Sequence, residues 1–329
     1  MSSLAIILAA GRSTRMKSAL PKPLHEVAGK PMLGHILDAC WAGGIDRAIV
    51  VVGHGKQHIV ERFGADERLT FVEQTEQLGT GHAVMVCRDA LDGEAADSDV
   101  LILAGDLPMI TGDIVHAIRN AHSEDEADAT LGTGVLDDPT GYGRVIRDDA
   151  GNFDAIVEQL DATPEQREVQ EVFPSLYCVK QAVLLDTLGK LTNDNAKGEY
   201  YLTDIYAIAK RDGRRVLAVE AVTADDIIAP NSRDQLADAD AAMQERIHAA
   251  LREEGVTIVS SANTYIEADV EVGRDTVIRP FSYVGRGSRV GENCVVGPFA
   301  MLPRQGMLAD GQSVAGNLSP ETCNVNEGA

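Results

Sequence analysis

Short apolar runs alternate with amphipathic segments through the first two-thirds of the chain. The runs are rich in Ile, Val and Leu, and they lie at residues 5–8, 48–52, 69–72 and 100–103. Between them apolar residues recur at helical spacing, for example Met32, Ile36 and Leu37 after Pro31, which is expected in the first helical turn. Such alternation predicts a mainly parallel sheet covered on both faces, with ligands bound beyond the carboxyl ends of its strands.

The same alternation continues to the end of this domain. A helix after Thr203 and a strand over 215–219 are expected, and the spacing within 232–254 predicts a long acidic helix. Its apolar line consists of Leu236, Met243, Ile247 and Leu251. We interpret this helix as a connector to a segment that is built differently.

From Ile266 onward the period of the apolar positions changes to six. Nine aliphatic residues are in phase, namely Ile266, Val272, Ile278, Val284, Val290, Val296, Leu302, Leu308 and Val314. A six-residue period is typical of a left-handed parallel β-helix, in which each hexad turns its aliphatic residue inward, and the pattern predicts about three coils. The predicted domains are a first domain over 1–231, a connector helix over 232–255, a short β-helix over 256–317 and a flexible tail over 318–329.

Charge and cysteine usage limit the partners and the compartment. The 329-residue chain carries 51 acidic and 29 basic residues, a formal net charge of −22, and such a surface repels nucleic acid and anionic membranes. The five cysteines are scattered without a CxxC pair, which favours neither a disulfide framework nor a zinc site and indicates a cytoplasmic location. No run of about 18 apolar residues occurs, so no membrane-spanning helix is expected.

Basic residues are concentrated in residues 8–31, with the sequence LAAGRSTRMKSALPKPLHEVAGKP. The first apolar run ends in a turn of small residues, Ala9, Ala10 and Gly11, where the backbone can approach a ligand closely. The cations that follow, against the single acid Glu26, are Arg12, Arg15, Lys17, Lys22 and Lys30. In so acidic a chain this cluster indicates a small anionic ligand, and we interpret the turn as a phosphate cradle.

Three further segments carry polar candidates. Residues 74–83 form the loop QTEQLGTGHA, Asp106 follows a predicted strand in the context AGD, and Asn231 lies in PNSR. Asp106 could cap the next helix, although Thr111 or Asp113 could do so instead. Asn231 could equally be a turn residue beside the preceding proline.

These motifs occur in the order found in one enzyme family. Over residues 4–233 the chain resembles the GlmU family of bacterial N-acetylglucosamine-1-phosphate uridylyltransferases. The resemblance implies an α/β fold, with a Rossmann-like, GT-A-like nucleotidyltransferase domain before the short left-handed β-helix. It also implies a Mg²⁺-dependent transfer of UMP from UTP to a sugar 1-phosphate, with N-acetylglucosamine 1-phosphate as first candidate, which yields the UDP-sugar and pyrophosphate.

The resemblance assigns catalytic and metal-binding roles to individual residues. Arg15 and Lys22 match the two phosphate-binding cations of the family and are the expected catalytic residues, whereas the remaining lysines of the cluster are expected on the solvated surface. Asp106 and Asn231 match the two magnesium ligands. His82 is interpreted as structural, because a sugar phosphate is already ionised at pH 7 and needs no general base.

The resemblance also implies a set of substrate-binding positions. They are Leu8, Ala9, Ala10, Gly11, Gln74, Gly79, Thr80, Ala104, Gly105, Gly143, Glu158 and Asn231. Within this set Gln74, Gly79 and Thr80 are expected to hold the uracil edge, and Gly143 and Glu158 are expected to contact the sugar.

Two departures from the family leave the sugar open. The family has an ENTG motif whose Asn contacts the acetamido sugar, but residues 171–175 are EVFPS, and Phe173 cannot make those hydrogen bonds. Ala104 occupies a position where the family often has Tyr, while the motif KGEYYLTD at 197–204 is intact. The alternatives are a uridylyl- or thymidylyltransferase for another hexose 1-phosphate such as glucose 1-phosphate, or a non-catalytic nucleotide-sugar sensor or assembly subunit.

The β-helix carries a separate expectation. In the family it continues for many more coils, which hold an acetyl-CoA site and a catalytic histidine, whereas this chain has about three coils and no histidine after His248. We therefore expect no acetyltransferase activity. Short coils of this kind commonly pack around an axis, so a homotrimer through the β-helix is expected, with a monomeric cap as the alternative.

Overall fold

A computed structural model of the protein describes residues 3–11, 14–92, 95 and 98–316. The expected tail over 318–329 and Arg12 lie outside the described residues. The described chain divides into two compact units. The first unit holds the described residues up to His25 together with Met32–Ser232, and the second unit holds Glu26–Pro31 together with the described residues from Arg233 onward.

The strands are numbered in chain order. They are β1 (Leu4–Ala9), β2 (Glu26–Val27), β3 (Lys30–Pro31), β4 (Arg47–Val52), β5 (Leu69–Glu73), β6 (Asp99–Ala104), β7 (Ala129–Val135), β8 (Gly143–Arg147), β9 (Phe153–Val157), β10 (Glu171–Lys180), β11 (Val216–Glu220), β12 (Thr257–Ile258), β13 (Thr264–Ile266), β14 (Glu271–Val272), β15 (Val277–Ile278), β16 (Ser282–Val284), β17 (Arg289–Val290), β18 (Val295–Val296), β19 (Met301–Leu302), β20 (Met307–Leu308) and β21 (Ser313–Val314).

The helices are numbered in the same way. They are α1 (Met32–Ala42), α2 (Lys56–Phe63), α3 (Thr80–Met85), α4 (Arg88–Leu91), α5 (Gly112–Glu124), α6 (Pro164–Arg167), α7 (Gln181–Leu188), α8 (Asp204–Arg211) and α9 (Arg233–Glu253). Short 3₁₀ segments occur at Thr14–Met16, Lys22–Leu24, Ala224–Ile227 and Ser261–Asn263. Within the described ranges no helix combines the length and apolar character that a membrane span needs.

The first unit is built on one large sheet with the order β11-β7-β10-β6-β1-β4-β5. The pairs β1–β4, β1–β6, β4–β5 and β7–β11 are parallel, whereas β10 runs antiparallel to both β6 and β7, and β8 and β9 form an antiparallel extension from β10. The predicted α/β architecture with a mainly parallel sheet is confirmed. The chain continues from β1 towards β4 on one side and returns to β6 on the other, which places a ligand crevice at the carboxyl end of β1.

Hydrophobic side chains pack on both faces of this sheet. On one face Ile6 and Ile102 are fully buried in a cluster with Leu184 of α7 and Ile205 of α8. On the other face the core includes residues of α1 and α5, such as Leu33, Ile36 and Ile118. Pro31 ends β3 instead of opening α1, so that prediction is wrong by one residue. The proline instead pairs with Glu26 across the β2–β3 hairpin, and α1 begins at the next residue, Met32.

The second unit contains the predicted left-handed β-helix. Its strands form three parallel sheets, β12-β15-β18-β21, β13-β16-β19 and β14-β17-β20. Neighbouring strands are 18 residues apart along most of each sheet, as in the column Ile266, Val284 and Leu302. All nine in-phase aliphatic residues are buried, which confirms the six-residue pattern. On α9, Met243 and Leu251 are buried.

Candidate functional site

The turn after β1 lies at the switch point of the sheet. Ala9 and Ala10 are buried, and the N–H of Gly105 donates to the carbonyl of Leu8 at 2.9 Å. A Cβ atom added to Gly105 would lie 3.1 Å from the same oxygen, so the absence of a side chain allows the segments after β1 and β6 to approach each other. The predicted phosphate cradle and the predicted metal ligand Asp106 therefore meet at one edge of the sheet.

Four predicted site residues converge beside this turn. The ammonium of Lys22 forms an ion pair with Asp106 and donates to Asn231 Oδ1 at 2.9 Å. The guanidinium of Arg15 donates to the same Asn231 oxygen at 3.0 Å. The Lys22 side chain is only 7% exposed, whereas Asp106 keeps 27% exposure and remains reachable from the crevice. Residues that lie more than 200 positions apart in the chain thus form one cluster of two cations and two oxygen ligands.

The donor chemistry of this cluster fits magnesium. Asp106 and Asn231 present a carboxylate oxygen and an amide oxygen to one cation, and oxygen ligands of this type are preferred by Mg²⁺. Among the described residues no group of three or more His, Cys, Asp or Glu side chains forms a metal cluster. A magnesium ion at this point would therefore take its remaining ligands from water and phosphate, which is how this ion is usually bound.

A cavity of about 300 Å³ opens in front of the turn. Its predicted lining residues are Leu8, Ala9, Ala10, Gly11, Lys22, Gln74, Gly79, Thr80, Ala104 and Asp106. The structure therefore brings the candidate base-binding loop and the candidate phosphate cradle into one cavity. We refer to it as the first cavity.

Hydrogen bonds within the loop at the wall of the first cavity connect its two ends. The Gln74 side chain is buried, donates to the carbonyl of Gly79 at 3.0 Å, and lies 3.1 Å from the ring Nδ1 of His82. Gly79 has a φ of +109°, and a Cβ there would lie 2.6 Å from the carbonyl oxygen of Tyr200. His82 contacts Gln74 through this nitrogen, an arrangement that orients the amide and agrees with a structural role.

A second cavity of about 220 Å³ adjoins the first. The two cavities share the lining residues Thr80, Ala104, Asp106, Ser175 and Glu199. Because Asp106 borders both, two ligands bound side by side would meet at its carboxylate. Gly143 and Glu158, the predicted sugar-contacting residues, line the second cavity.

Acidic side chains surround the second cavity. The Glu158 carboxylate accepts a hydrogen bond from the Thr203 hydroxyl at 3.1 Å, and burial raises the pKa of Glu158. Burial, with the nearby charges of Glu158 and Asp161, raises the pKa of Asp204 to about 6. Glu158 lines the second cavity, and a ligand that donates hydrogen bonds to it, as sugar hydroxyls do, would lower the cost of keeping this carboxylate buried and charged.

The wall formed by residues 173–175 has an unusual backbone. The register between β10 and β7 shifts between Val172 and Leu176, and within the shift Ser175 has a φ of +65°. Pro174 has no N–H to offer. The ring of Phe173 is 4% exposed and packs edge-to-face against Tyr177 at a centroid distance of 4.7 Å. This part of the cavity therefore offers no amide side chain to a ligand.

Some lining residues were not singled out from the sequence. Lys197, Glu199, Tyr201 and Thr203 all line the second cavity and belong to the KGEYYLTD motif, which the family resemblance assigns to the sugar pocket only as a whole. The Tyr201 hydroxyl is buried and makes no hydrogen bond of normal geometry within the described chain, although burial and the nearby Asp161 carboxylate raise the pKa of Tyr201 to about 12. A hydroxyl in this position can donate to a ligand that enters the cavity. Only the tertiary structure distinguishes this hydroxyl from that of the adjacent Tyr200.

The other lysines of the basic cluster behave differently from one another. Lys17 is exposed, as expected. The expectation for Lys30 is wrong: its side chain is only 10% exposed, and it pairs with Asp269 at 2.9 Å inside the second unit. The hairpin that carries Lys30 is buried there, and burial of a lysine requires a paired carboxylate.

Comparisons with known proteins define the class of this chain. Residues 5–166 match the MobA-like NTP transferase domain family, and residues 263–304 match the bacterial transferase hexapeptide (six repeats) family. In the comparison of structures, the described fold aligns with a crystal structure of UDP-glucose pyrophosphorylase complexed with UDP-glucose. That alignment has a TM-score of 0.60 and 15% identity, and covers 75% of this chain and 100% of that chain. At this identity the likeness supports the fold alone.

Comparison with individual protein sequences is more specific than the family models and the fold comparison. The chain is 44% identical to the bifunctional protein GlmU of Heliobacterium modesticaldum and 45% identical to that of Alkaliphilus metalliredigens, each over 84% of this chain. The protein of the same name from Halalkalibacterium halodurans is 41% identical over 85% of this chain. The predicted resemblance to the GlmU family is thus confirmed over most of this chain. It spans 59% of the length of the first two relatives.

Proposed function

We propose that the protein transfers UMP from UTP to a sugar 1-phosphate, with N-acetylglucosamine 1-phosphate as the first candidate acceptor. The observation that supports this function is the hydrogen-bonded cluster of Arg15, Lys22, Asp106 and Asn231, in which Asp106 lines both adjoining cavities and Lys22 lines the first. In this reaction an oxygen of the sugar phosphate attacks the α-phosphorus of UTP. The bond from that phosphorus to the bridging oxygen breaks, and pyrophosphate leaves with the electron pair.

The residues of the first cavity would bind and orient the nucleotide. The backbone after β1 approaches the phosphates, and Arg15 and Lys22 neutralise the charge that develops on the departing pyrophosphate. Asp106 and Asn231 would hold Mg²⁺, which when bound supplies charge neutralisation at the phosphoryl oxygens. No side chain has to remove a proton, because the acceptor is a phosphate that is ionised near pH 7.

The second cavity would hold the sugar. Glu158 and Glu199 can accept hydrogen bonds from sugar hydroxyls, and the Tyr201 hydroxyl can donate one. Because both cavities border Asp106, the acceptor phosphate would lie next to the α-phosphate of the nucleotide. Such alignment of two substrates is the main contribution that a protein makes to phosphoryl transfer.

A substrate panel tests this function. Purified protein is mixed with Mg²⁺, a panel of sugar 1-phosphates and either UTP or dTTP, and pyrophosphate release and the nucleotide sugar are measured. We expect UDP-sugar formation with UTP and none after chelation of the metal. Tight binding of UDP-sugars without turnover of any sugar phosphate would instead support the nucleotide-sugar sensor.

The Phe173 wall favours a second candidate acceptor, glucose 1-phosphate. An acetamido carbonyl facing residues 173–175 would find no amide donor there, and a buried unpaired carbonyl costs about 1–3 kcal/mol. A hexose that turns only carbon-bound hydrogens towards the wall avoids this cost. The same panel discriminates between the two acceptors through the ratio of their kcat/KM values.

The Phe173→Asn substitution is expected to shift that ratio towards N-acetylglucosamine 1-phosphate by about tenfold or more, because one recovered hydrogen bond of about 1.4 kcal/mol changes a rate ratio tenfold. Phe173→Leu keeps the wall apolar and serves as the control, with little change in the ratio. Since the ratio is measured within one variant, a loss of stability from the polar substitution does not distort it. An unchanged ratio in folded Phe173→Asn protein would remove the wall from the specificity argument.

Three other expectations belong to the proposal. We propose a cytoplasmic enzyme that lacks acetyltransferase activity and assembles as a homotrimer through the β-helix, without nucleic acid or membrane partners. Sedimentation of the purified chain tests the trimer against the monomeric cap. An acetyl-CoA assay with a hexosamine 1-phosphate tests the absence of acetyl transfer.

A further inference from the structure

The β2–β3 hairpin lies within the basic segment of residues 8–31. It lies between Lys22 and α1 in the phosphate-binding segment, yet it belongs to the second unit. Its two ends enter the first unit at His25 and Met32, where the N–H of Met32 donates to the carbonyl of His25 at 3.0 Å. Lys22 begins the 3₁₀ turn Lys22–Leu24, so only Pro23, Leu24 and His25 separate it from the hairpin.

The tip of the hairpin is bound by the second unit through its backbone. Ala28 and Gly29 have φ values of +47° and +70°, the pair of positive angles that a type I′ turn requires. The N–H of Ala28 donates to Asp240 Oδ1 at 2.7 Å, and its carbonyl accepts from the N–H of Ala268 at 2.7 Å. An alanine rarely adopts a positive φ, so these contacts help to hold it there.

An ion pair between a buried carboxylate and a half-exposed guanidinium closes over the same turn. The Glu267 side chain is 4% exposed and binds Arg304 through two hydrogen bonds of 2.7 and 2.8 Å. Arg304 also donates to the carbonyl of Gly29 at 3.2 Å and to Glu26 at 3.1 Å. A Cβ atom at Gly29 would lie 2.2 Å from the Glu267 carboxyl carbon, so only glycine fits against this pair.

The contacts come from successive coils of the β-helix. Ala268, Arg286 and Arg304 are 18 residues apart and occupy the same corner of three coils, and the guanidinium of Arg286 also reaches the Gly29 carbonyl, at 3.4 Å. The aliphatic residues already fill the β-helix core, which does not need this column. Its two arginines instead bind the β2–β3 hairpin, which lies near the start of the sequence.

We propose that the contacts of Asp240, Glu267 and Arg304 form a clamp on the hairpin that positions Lys22 for uridylyl transfer. The inference rests on the proposed function. A lysine side chain is long and flexible, so its ammonium stays at the first cavity, which Lys22 lines, only if its backbone is fixed. The clamp fixes the chain a few residues after Lys22, which makes Arg304 and Glu267 positioning residues.

The Arg304→Ala substitution is expected to reduce kcat of uridylyl transfer by about 10- to 10²-fold, the usual cost of a displacement of about 1 Å in a catalytic group. Arg289→Ala is the matched control, because Arg289 lies on β17 of the same β-helix in an exposed ion pair with Glu271. In a Lys22→Ala background the Arg304 substitution should cause no further loss, since two residues that act through one ammonium are not additive. Equal losses in both backgrounds would overturn the proposal.

Hydrogen exchange provides a readout that does not depend on turnover. The amides of Leu24 and His25, which are bonded to Pro21 and Lys22, should exchange faster in Arg304→Ala than in Arg289→Ala protein. If Arg304→Ala unfolds the β-helix, Gly29→Ala replaces it as the test variant, because it displaces the hairpin without removing the Arg304 side chain. Wild-type protein that transfers no uridylyl group refutes the proposed function, whereas an active enzyme that Arg304→Ala and Gly29→Ala leave unchanged refutes only the clamp.

Discussion

The rate of uridylyl transfer is expected to fall by a factor of at least about 10³ in Asp106→Ala protein, while the protein keeps its fold. A carboxylate that holds a catalytic metal contributes several kcal/mol to the stabilisation of charge in the transition state, and each 1.4 kcal/mol corresponds to a factor of ten. Asp106 lines both cavities and 27% of its side chain is exposed, so its removal leaves no core cavity. The substitution does leave the buried Lys22 ammonium without its carboxylate partner, and it is expected to lower the unfolding temperature. Initial rates at increasing Mg²⁺ and thermal unfolding measure the two effects separately.

Asp113→Ala is the control for this prediction. Asp113 lies in the first turn of α5, a short distance after the same strand, and its side chain is exposed. Its substitution should leave the rate within a factor of a few. Asp106→Asn adds a finer test, because it keeps the shape of the side chain but removes its charge, so a higher Mg²⁺ requirement is expected. Wild-type rates for Asp106→Ala at saturating Mg²⁺ would refute the metal assignment.

The elements that could be predicted from sequence are those whose periodicity follows directly from burial. The strands β1, β4 and β6 are apolar apart from Arg47 and Asp99 at the starts of β4 and β6, because both faces of a central parallel strand are covered. The hexads were equally clear, since each coil turns one aliphatic residue inward at a fixed interval and all nine of those residues are buried. In both cases a local pattern is sufficient, because the partner strands supply the same kind of environment at every repeat.

Features that depend on distant contacts could not be predicted in this way. The reversed direction of β10 and the turn of Ser175 into positive φ arise from pairing with β6, β7 and β8. The hairpin of Glu26–Pro31 leaves the first domain because Arg304, 278 residues from Glu26, binds it. No spacing within residues 26–31 indicates such a partner, and Lys30 was therefore expected at the surface.

In the candidate site, too, the individual residues could be predicted from the sequence, whereas the contacts between them could not. Family resemblance pointed to Arg15, Lys22, Asp106 and Asn231 separately, and the structure brings all four together. What could not be foreseen is that one ammonium bonds to both oxygen ligands. Lys22 thus occupies the position in front of Asp106 and Asn231 that a cation would otherwise take.

Lys22→Ala protein is expected to show the second largest loss of activity, about 10²- to 10³-fold in kcat, the usual effect of removing one pre-organised group that stabilises charge. Arg15→Ala should cause a loss of the same order, because its guanidinium lies beside the same Asn231 oxygen. The two variants should differ in their response to Mg²⁺. Removal of Lys22 leaves the oxygens of Asp106 and Asn231 without the buried ammonium between them, and their repulsion favours a divalent cation.

We therefore expect that the Mg²⁺ concentration for half-maximal rate falls in Lys22→Ala protein even as kcat falls, whereas it stays unchanged in Arg15→Ala protein. Lys17→Ala is the matched control, since Lys17 belongs to the same basic segment and is exposed. Steady-state rates over a Mg²⁺ titration at saturating UTP measure both quantities. If Lys22→Ala needed more Mg²⁺ than wild type, the ammonium would be helping the metal to bind, and the view that the two compete for Asp106 and Asn231 would be wrong.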